Sequence, residues 1–521
     1  MKHGNESYLI KGEGLVVGRL FPLSLLRWIF STFHKFVPDA PDPAPHPGNS
    51  DDDDSVTPPT RLFCRLFEKG EQPDGESLIE LGQLMETESG DPEDERDSNI
   101  PAGYTYLGQF IDHDITLDRE TPLNPIDIVE PGDVTNFRTP ALDLDSVYLD
   151  GPDKNSELYE ADGKSFKIGQ TSDVMNLGVF NNDLPRNGTT ANIGEGRNDE
   201  NLIIAQTHLA FLKFHNSRVA ANPAASFKDI RREVVLHYQS IILTDFLPRV
   251  IDKSVLDDVL KNGRQFYTDA DEFKNCMPIE FSVAAYRMGH SMIRPSYEWN
   301  NIFNSDGPLG IATFGQIFEF SGVSGTRGAG DPPFRGLPTL PSNWIADWRR
   351  MYDFSEAGGE THEQLNFARK LDARMTIDLK TLPEFQQMNP PPPAPLLSLA
   401  TRNLLRGRLV SQATGQQVAI AMGETPLTPI EIISNVDPDQ AQVLVEKGFD
   451  QETPLWYYIL REAMVQADGN HLGAVGSRIV AETFVGLIKN SSTNLLSEQS
   501  DLRFSMPEML MSVPENVNPL G

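Results

Sequence analysis

Cysteine and basic residues are scarce in this sequence. Its 521 residues contain two cysteines, Cys64 and Cys276, which cannot build a disulfide framework and lack the CxxC spacing of a metal or redox pair. The 44 Lys and Arg residues face 75 Asp and Glu residues, which gives a formal net charge of −31. Nucleic acid and anionic membranes would repel a protein of this charge, so we predict neither as a partner.

Long apolar runs are also missing. The segment Leu15–Val37 comes closest to a membrane span, but Arg19, Pro22, Arg27 and Lys35 interrupt it before it reaches the roughly 20 residues that cross a bilayer. No small-residue cleavage site follows it. We therefore predict no transmembrane segment and no signal peptide, and a packing arm at residues 15–37, with a membrane-surface helix as the alternative. Localisation stays open between a non-classical bacterial export route and the cytoplasm.

The apolar pattern predicts a mainly α fold, because strand-like alternation is scarce. Helical periodicity recurs in several segments, which are residues 104–115, 200–220, 227–247, 278–292, 456–464 and 476–488. The acidic, proline-rich residues 38–59 favour an exposed linker. We predict that residues 1–99 form an N-terminal arm and linker packing on the core, and that residues 100–521 form a single large helical domain with few short strands.

Common catalytic fingerprints are absent: the sequence has no GxGxxG, Walker, HExxH or GxSxG pattern and no internal repeat. Polar residues stand out instead within the apolar segment GQFIDHD. Gln109 and His113 are four residues apart and Asp112 is three from Gln109, so amide, carboxylate and imidazole can share one side of a helix. A hydrogen-bonded core histidine is the alternative for His113.

Two further segments carry polar side chains at helix boundaries. In GRNDEN, Arg197 and Glu200 lie at the start of the following helix. The alternative to a functional role is a capped helix with one ion pair. In YRMGHSMIRP, Gly289 removes a side chain beside His290, which would let a flat ring system approach the imidazole. A core histidine beside a helix-packing glycine is the alternative there.

Together and in this order, GQFIDHD, GRNDEN and YRMGHSMIRP resemble the animal-type haem peroxidase superfamily, in its bacterial, peroxinectin-like branch. The resemblance extends from about Pro101 to Ile488. It implies a single large helical haem-peroxidase domain with few short strands. The implied cofactor is haem, of the b type, with ester attachment left open by the sequence.

The resemblance also implies roles for individual residues. His113 would be the distal base with Gln109 beside it, and Arg197 would be the distal cation. His290 would bind the haem iron from the other face, and Asn403 would accept the proton of its imidazole. The remaining haem contacts would be two carboxylates that relatives esterify and an arginine near the propionates, namely Asp112, Glu200 and Arg287.

A calcium site is implied by the acidic loop that follows the first motif. Thr139, Asp143 and Asp145, the main-chain oxygen of Ala141, and Asp114 from the distal helix offer the hard oxygen ligands that calcium prefers. The spacing does not match an EF-hand. An Asp-rich turn without metal is the alternative.

The implied activity is reduction of hydrogen peroxide through a ferryl intermediate and oxidation of small organic donors or (pseudo)halides, with a part in the oxidative stress response. A haem-dependent fatty-acid dioxygenase is one alternative. Those relatives carry a tyrosine three residues before the proximal histidine, where this chain has Arg287, while Tyr286 stands one position earlier. A peroxinectin-like adhesion protein is the other alternative. The sequence does not reveal the electron donor or the oligomeric state.

Overall fold

The computed structural model describes residues 61–87, 96–118, 128–324, 332–380, 382–383, 393–498, 501–513, 515 and 517–520. The arm predicted at residues 15–37 and the linker at 38–59 lie outside these ranges, so the division at residue 99 stays a prediction. Across the described ranges, no helix is long and apolar enough to cross a membrane.

The described chain is mainly helical with few short strands, and this confirms the predicted fold class. Its α-helices are α1 (Gly75–Met85), α2 (Gly103–Ile115), α3 (Asp145–Tyr148), α4 (Leu202–Ala221), α5 (Phe227–Ile241), α6 (Leu247–Val250), α7 (Lys253–Asn262), α8 (Leu399–Leu409), α9 (Gly415–Met422), α10 (Pro429–Ile433), α11 (Pro438–Glu446), α12 (Leu455–Ala467), α13 (Ala474–Asn490) and α14 (Met506–Met511). Short 3-10 helices and two π-helical turns lie between them.

The strands of the described ranges form five two-stranded sheets. They are β1 (Leu62–Cys64), β2 (Glu86–Thr87), β3 (Asp97–Pro101), β4 (Arg186–Asn187), β5 (Thr190–Ala191), β6 (Cys276–Pro278), β7 (Ser296–Tyr297), β8 (Ala312–Thr313), β9 (Phe367–Arg369) and β10 (Met375–Thr376). β1 pairs with β6 and β2 with β10 in parallel, whereas β3–β9, β4–β5 and β7–β8 are antiparallel. Most of these pairs join distant parts of the chain, so they fasten the helical core without forming a layer.

Helix α2 lies within the core. Leu107, Phe110 and Ile111 are fully buried. Phe110 stacks on Phe211 of α4 with ring centroids 4.7 Å apart, and Tyr238 of α5 meets both rings edge-on. Replacing a buried phenylalanine of this kind by alanine lowers the free energy of unfolding by about 3–5 kcal/mol. This packing fixes α2, and with it the polar side that faces away from these rings.

The helix predicted at residues 278–292 is confirmed only in part, because the segment is helical but not a regular α-helix. Strand β6 occupies its start, a π-helical turn follows at Glu280–Ala284, and a 3-10 helix runs from Ala285 to His290. The two turns are separated because Ala284 has φ −124° and ψ −77°, outside the helical region. The helix predicted at 227–247 is also interrupted, since α5 passes into a π-helical turn at Ile242–Phe246.

Cys64 and Cys276 form a disulfide, with their Cα atoms 5.6 Å apart. The two residues are separated by 212 positions, and the parallel pairing of β1 with β6 brings them together. The carboxylate of Glu280 adds a second connection, because it accepts hydrogen bonds from the main-chain N–H groups of Leu66 (3.0 Å) and Phe67 (3.3 Å). The chain leading to His290 is thus fastened to residues 62–67.

Candidate active site

Helix α2 presents its predicted polar residues to a cavity. His113 is buried, and its Nδ1 lies 2.8 Å from Oδ1 of Asn198. Its other ring nitrogen, Nε2, lies 3.9 Å from Oε1 of Glu200. Gln109, one turn before His113, donates a hydrogen bond to the same carboxylate. The structure therefore brings together Gln109 and His113, as the spacing on the helix predicts, and adds Glu200 from the GRNDEN segment.

Arg197 lies in the 3-10 helix Gly196–Asp199, directly before α4, and lines the same cavity. Its Nη2 donates to the main-chain oxygens of His113 (3.0 Å) and Thr116 (2.8 Å) and to Oε2 of Glu195 (3.0 Å). Its Nε and Nη1 are buried and have no hydrogen-bond partner among the described residues. Because unsatisfied buried donors are costly, these two nitrogens favour an anionic or polar ligand in the cavity.

Asn198 connects two histidines, and no sequence signal revealed this. Its Oδ1 faces His113, and its Nδ2 lies 2.9 Å from Nδ1 of His208 in α4. Burial lowers the pKa of His208 to about 3, so this imidazole is neutral at physiological pH. The cap of α4 is a different asparagine, Asn201, whose Oδ1 accepts from the main-chain N–H of Ile204 at 3.0 Å.

His290 ends the 3-10 helix and lines the cavity that His113 lines. Its Nδ1 lies 2.7 Å from Nδ2 of Asn403 in α8, so the amide donates to the imidazole in this orientation. The predicted role requires Oδ1 of Asn403 to accept, which takes a half turn of the amide about its Cβ–Cγ bond. Burial, and then the charge of Arg287, lowers the pKa of His290 to about 3. The imidazole is therefore neutral, as an iron ligand must be.

Arg287 approaches Asp112 of α2 from the segment Glu280–His290, which we call the proximal segment. Nη1 of Arg287 lies 3.7 Å from Oδ2 of Asp112, and its Nε donates to the main-chain oxygen of Ser282 at 2.8 Å. The other carboxylate oxygen of Asp112 accepts from the hydroxyl of Thr116 at 2.9 Å. A haem propionate would therefore compete with Asp112 for this guanidinium.

A cavity of about 150 Å³ lies between α2 and the proximal segment. A Cβ built at Gly289 would meet no atom within 4 Å, so space is open beside His290. The apolar part of the lining consists of Phe246, Met288, Met292, Ile293, Phe314, Phe318, Leu379, Leu382 and Leu399. Apolar walls, two imidazoles and the unpaired donors of Arg197 fit a haem.

A second cavity adjoins the proximal side. It is lined by Arg287, His290 and Asn403, which were predicted, and by Asp118 and Arg406, which were not. Arg406 follows Asn403 by three residues within TRNLLRGR, so both share one face of α8. That spacing was the available signal. Two guanidinium groups beside one cavity suit the recognition of carboxylates.

The acidic residues predicted to bind calcium lie close together. Asp114 is fully buried; its Oδ1 accepts from the main-chain N–H (3.0 Å) and the hydroxyl (2.9 Å) of Ser146, and its Oδ2 accepts from the N–H of Leu144 at 3.2 Å. Burial, and then the charges of Asp145 and Asp114, raise the pKa of Asp143 to about 8. Such mutual repulsion favours a cation in this region.

The coordination geometry is not formed, however. Within the described ranges, no group of three or more His, Cys, Asp or Glu side chains is arranged to hold a metal ion. Asp145 faces Arg138 at 3.4 Å, and the main-chain oxygen of Thr139 accepts from the N–H of Ala141 at 2.8 Å. The residues supply the charge that calcium needs, but their side chains would have to turn to bind it.

Comparison with known proteins adds to this geometry. Residues 115–342 match the family model described as animal haem peroxidase. This range contains Arg197 and His290, begins two residues after His113 and ends before Asn403. Peroxidase mlt-7 of Caenorhabditis elegans is 28% identical over 236 residues, and the match covers 41% of this chain and 31% of that protein. A peroxidase-like protein of Margaritifera margaritifera is 27% identical over 155 residues, and that match covers 28% of this chain and 18% of that protein.

The aligned regions thus span a third or less of either relative. Solved structures are similar over a larger share. Peroxidase A of Dictyostelium discoideum has a TM-score of 0.56 at 17% identity, covering 88% of this chain and 94% of that one. Oryza sativa fatty acid alpha-dioxygenase has a TM-score of 0.53 at 14% identity, covering 88% and 80%. At these identities the likeness concerns the fold. Residues 115–342 are thus similar to the animal haem peroxidase family, and the fold is similar to that of Dictyostelium discoideum peroxidase A over 88% of this chain.

Proposed function

We propose that this chain is a haem peroxidase that reduces hydrogen peroxide and oxidises small organic donors or (pseudo)halides. The observation that carries the proposal is the common cavity of His113 and His290, which are remote in sequence, with the buried unpaired donors of Arg197 at its wall. A part in the oxidative stress response belongs to the same proposal.

On the proximal side, His290 would hold the haem iron through Nε2. This requires the Nδ1 proton to be accepted by Asn403, whose amide must turn from its present orientation. When bound, haem would supply the electrons for peroxide reduction and the oxidising capacity for donors. Arg287 and Arg406 would face the propionates, and Asp112 and Glu200 are the carboxylates available for ester attachment.

On the distal side, His113 would move a proton. A neutral imidazole takes a proton from one peroxide oxygen and returns it to the other oxygen, which leaves as water. Arg197 would stabilise the negative charge that develops as the O–O bond breaks, because a guanidinium stays protonated throughout. Gln109 would hold the carboxylate of Glu200 beside this path. Calcium bound by Asp114, Asp143 and Asp145, with oxygens of Thr139 and Ala141, would brace the end of α2.

The disulfide bears on localisation. Disulfides persist in oxidising compartments and are rare in the cytoplasm. The bond between Cys64 and Cys276 therefore favours export over a cytoplasmic location within this proposal. The N-terminal part, residues 1–99, is proposed to pack on the catalytic domain at residues 100–521.

Fatty-acid oxygenation is the second candidate, and Tyr286 favours it. Its hydroxyl is buried, the residue lines the cavity, and no hydrogen-bond partner is present in the described part of the chain. The rice protein with a similar fold is a fatty acid alpha-dioxygenase. Tyr286 stands four residues before His290, however, and not three. Peroxidation is therefore the proposal, and oxygenation the alternative.

Two assays on the haem-loaded chain separate these functions. Peroxide with a phenolic dye should give rapid dye oxidation that depends on His113. Linoleate without a donor should give little oxygen uptake, and Tyr286→Phe should leave dye oxidation intact. Rapid oxygen uptake that is lost in Tyr286→Phe, together with slow dye oxidation, would reject the peroxidase proposal. A chain that cannot bind haem would reject both.

A further inference from the structure

Two imidazoles share one amide next to the cavity. Oδ1 of Asn198 lies 2.8 Å from Nδ1 of His113. Nδ2 of the same amide lies 2.9 Å from Nδ1 of His208. All three side chains are buried, with 5% of His113 and none of Asn198 or His208 exposed. Water therefore cannot easily replace either hydrogen bond, so the amide and the two imidazoles must satisfy each other's hydrogen-bonding groups.

The amide imposes opposite protonation on the two rings. Its oxygen only accepts and its nitrogen only donates. The ring that faces the oxygen must carry a proton on Nδ1, and the ring that faces the nitrogen must present a lone pair there. A neutral imidazole carries one ring proton, so His113 has its lone pair on Nε2 and His208 has its proton on Nε2.

We propose that Asn198 and His208 are positioning residues that hold the proton of His113 on Nδ1 and keep Nε2 as the base that faces the cavity. This inference rests on the proposed function, because it assigns to the distal base the tautomer that peroxide reduction requires. His208 acts through the amide, because its Nδ1 accepts from Nδ2 of Asn198 while Oδ1 of Asn198 accepts from His113.

The surroundings of His208 leave its tautomer to the contact with Asn198. Its Nε2 is buried and has no hydrogen-bond partner among the described residues. No other group therefore sets the tautomer of His208, and the amide alone decides it. The low pKa of His208 keeps the ring neutral, so it continues to accept from Asn198 across the physiological range.

The tautomers can be measured without haem chemistry. The full chain, which has 10 histidines, is labelled with ¹⁵N in its imidazoles, and the ring nitrogens of His113 and His208 are assigned by single substitutions. We expect a protonated Nδ1 on His113 and a protonated Nε2 on His208. The reverse pair, or the same tautomer on both rings, would overturn the inference.

Asn198→Asp sharpens this test, because a carboxylate accepts at both ends. His113 should keep its Nδ1 proton, while the proton of His208 should move from Nε2 to Nδ1. This move breaks no hydrogen bond, because Nε2 of His208 has no partner among the described residues. A role limited to packing would leave the tautomer of His208 unchanged, and that result would also overturn the inference.

Kinetics test the consequence in the haem-loaded chain. Asn198→Ala should slow the reaction with peroxide about 10- to 100-fold, because His113 loses the hydrogen-bond partner that orients its ring. His208→Phe should also slow it, whereas His208→Asn, whose Oδ1 replaces the accepting Nδ1, should restore it. Asn304→Ala is the matched control, since this buried amide also makes two hydrogen bonds, one from its Nδ2 and one to its Oδ1.

The outcomes distinguish this inference from the proposed function. If wild type reacts with peroxide but Asn198→Ala and Asn304→Ala react equally fast, the positioning role is wrong and the peroxidase proposal stands. If wild type binds haem but does not react with peroxide, the proposed function fails, while the ¹⁵N measurement still decides the tautomers.

Discussion

The two histidines of the cavity are each paired with an asparagine, but with opposite polarity. His113 faces an amide oxygen, whereas His290 faces an amide nitrogen. Asn198 is held at both ends by imidazoles, while the side chain of Asn403 makes this single hydrogen bond within the described ranges. Two contacts therefore hold the amide beside His113, the proposed distal base, whereas the amide beside His290 has one contact and can turn when a ligand occupies the other nitrogen of His290.

The backbones on the two sides differ as well. His113 stands in a regular α-helix, and the helix is fixed by apolar packing against α4. His290 ends a 3-10 helix after a π-helical turn, and the disulfide and Glu280 fasten that segment from behind. Packing thus holds the distal side, and covalent and polar links hold the proximal side.

The largest expected effect concerns the distal base. His113→Ala should slow the reaction with peroxide about 10²- to 10⁴-fold, because the proton transfer loses its carrier. Haem binding should be nearly unchanged, since His290 is intact. Stopped-flow absorbance measures both. The control is His471→Ala, whose imidazole contacts the main-chain oxygen of Leu472 and does not line the cavity. If His471→Ala slowed the reaction with peroxide equally, the loss in His113→Ala would not show a distal role for His113.

Opening the disulfide should act on the proximal side. Replacing Cys64 and Cys276 by serine should lower the free energy of unfolding by about 2–4 kcal/mol, because the bond closes a loop of 212 residues. Haem ligation by His290 should weaken at lower denaturant concentration than in wild type. Denaturant titration, followed by the haem absorbance and by circular dichroism, measures this order. Simultaneous loss of both signals in both proteins would argue against separate anchoring.

Removing the proximal amide should weaken the iron ligand. Asn403→Ala should lower haem affinity about 10- to 100-fold, because the imidazole loses the partner that fixes its ring. Asn403→Asp, which only accepts, should hold the Nδ1 proton more firmly and lower the iron reduction potential. Spectroelectrochemistry compares these variants with Asn470→Ala, a turn asparagine that accepts from the main-chain N–H of Asn99. A potential unchanged by Asn403→Asp would contradict the assigned role.

The smallest effect concerns Glu280, which supports the proximal segment. Burial raises its pKa to about 7, above its ordinary value of 4.5. The folded chain therefore binds more protons than the unfolded chain between these values, and stability contributed by this group falls as pH rises toward 7. Between pH 5 and pH 8, the free energy of unfolding of wild type should fall by about 1–2 kcal/mol more than that of Glu280→Gln. Urea unfolding measures it; parallel curves for both proteins would contradict the expectation.

The sequence predicted the parts of the site that depend on local spacing. Gln109 and His113 share a helix face because four residues make about one turn, and the helices at 104–115 and 476–488 were found within a few residues. The predicted lining residues His113, Arg197, Glu200 and His290 converge on one cavity.

The parts that depend on long-range pairing could not be predicted. Neither Cys64 nor Cys276 carries a local sign of its partner, since the pairing of β1 with β6 creates it. The break at Ala284 reflects tertiary constraints on a segment that reads as a regular helix. The contact of His208 with Asn198 joins α4 to the turn before it, and only the fold determines which side chains meet there.

The central claim is that His113 and His290 serve opposite faces of one haem. The absorption spectrum of the haem-loaded chain before and after adding peroxide, for wild type, His113→Ala and His290→Ala, tests it most directly. We predict a Soret band that responds rapidly to peroxide in wild type, an unchanged resting band with a slow response in His113→Ala, and lost or altered iron ligation in His290→Ala. A resting spectrum that His290→Ala leaves unchanged would contradict the account.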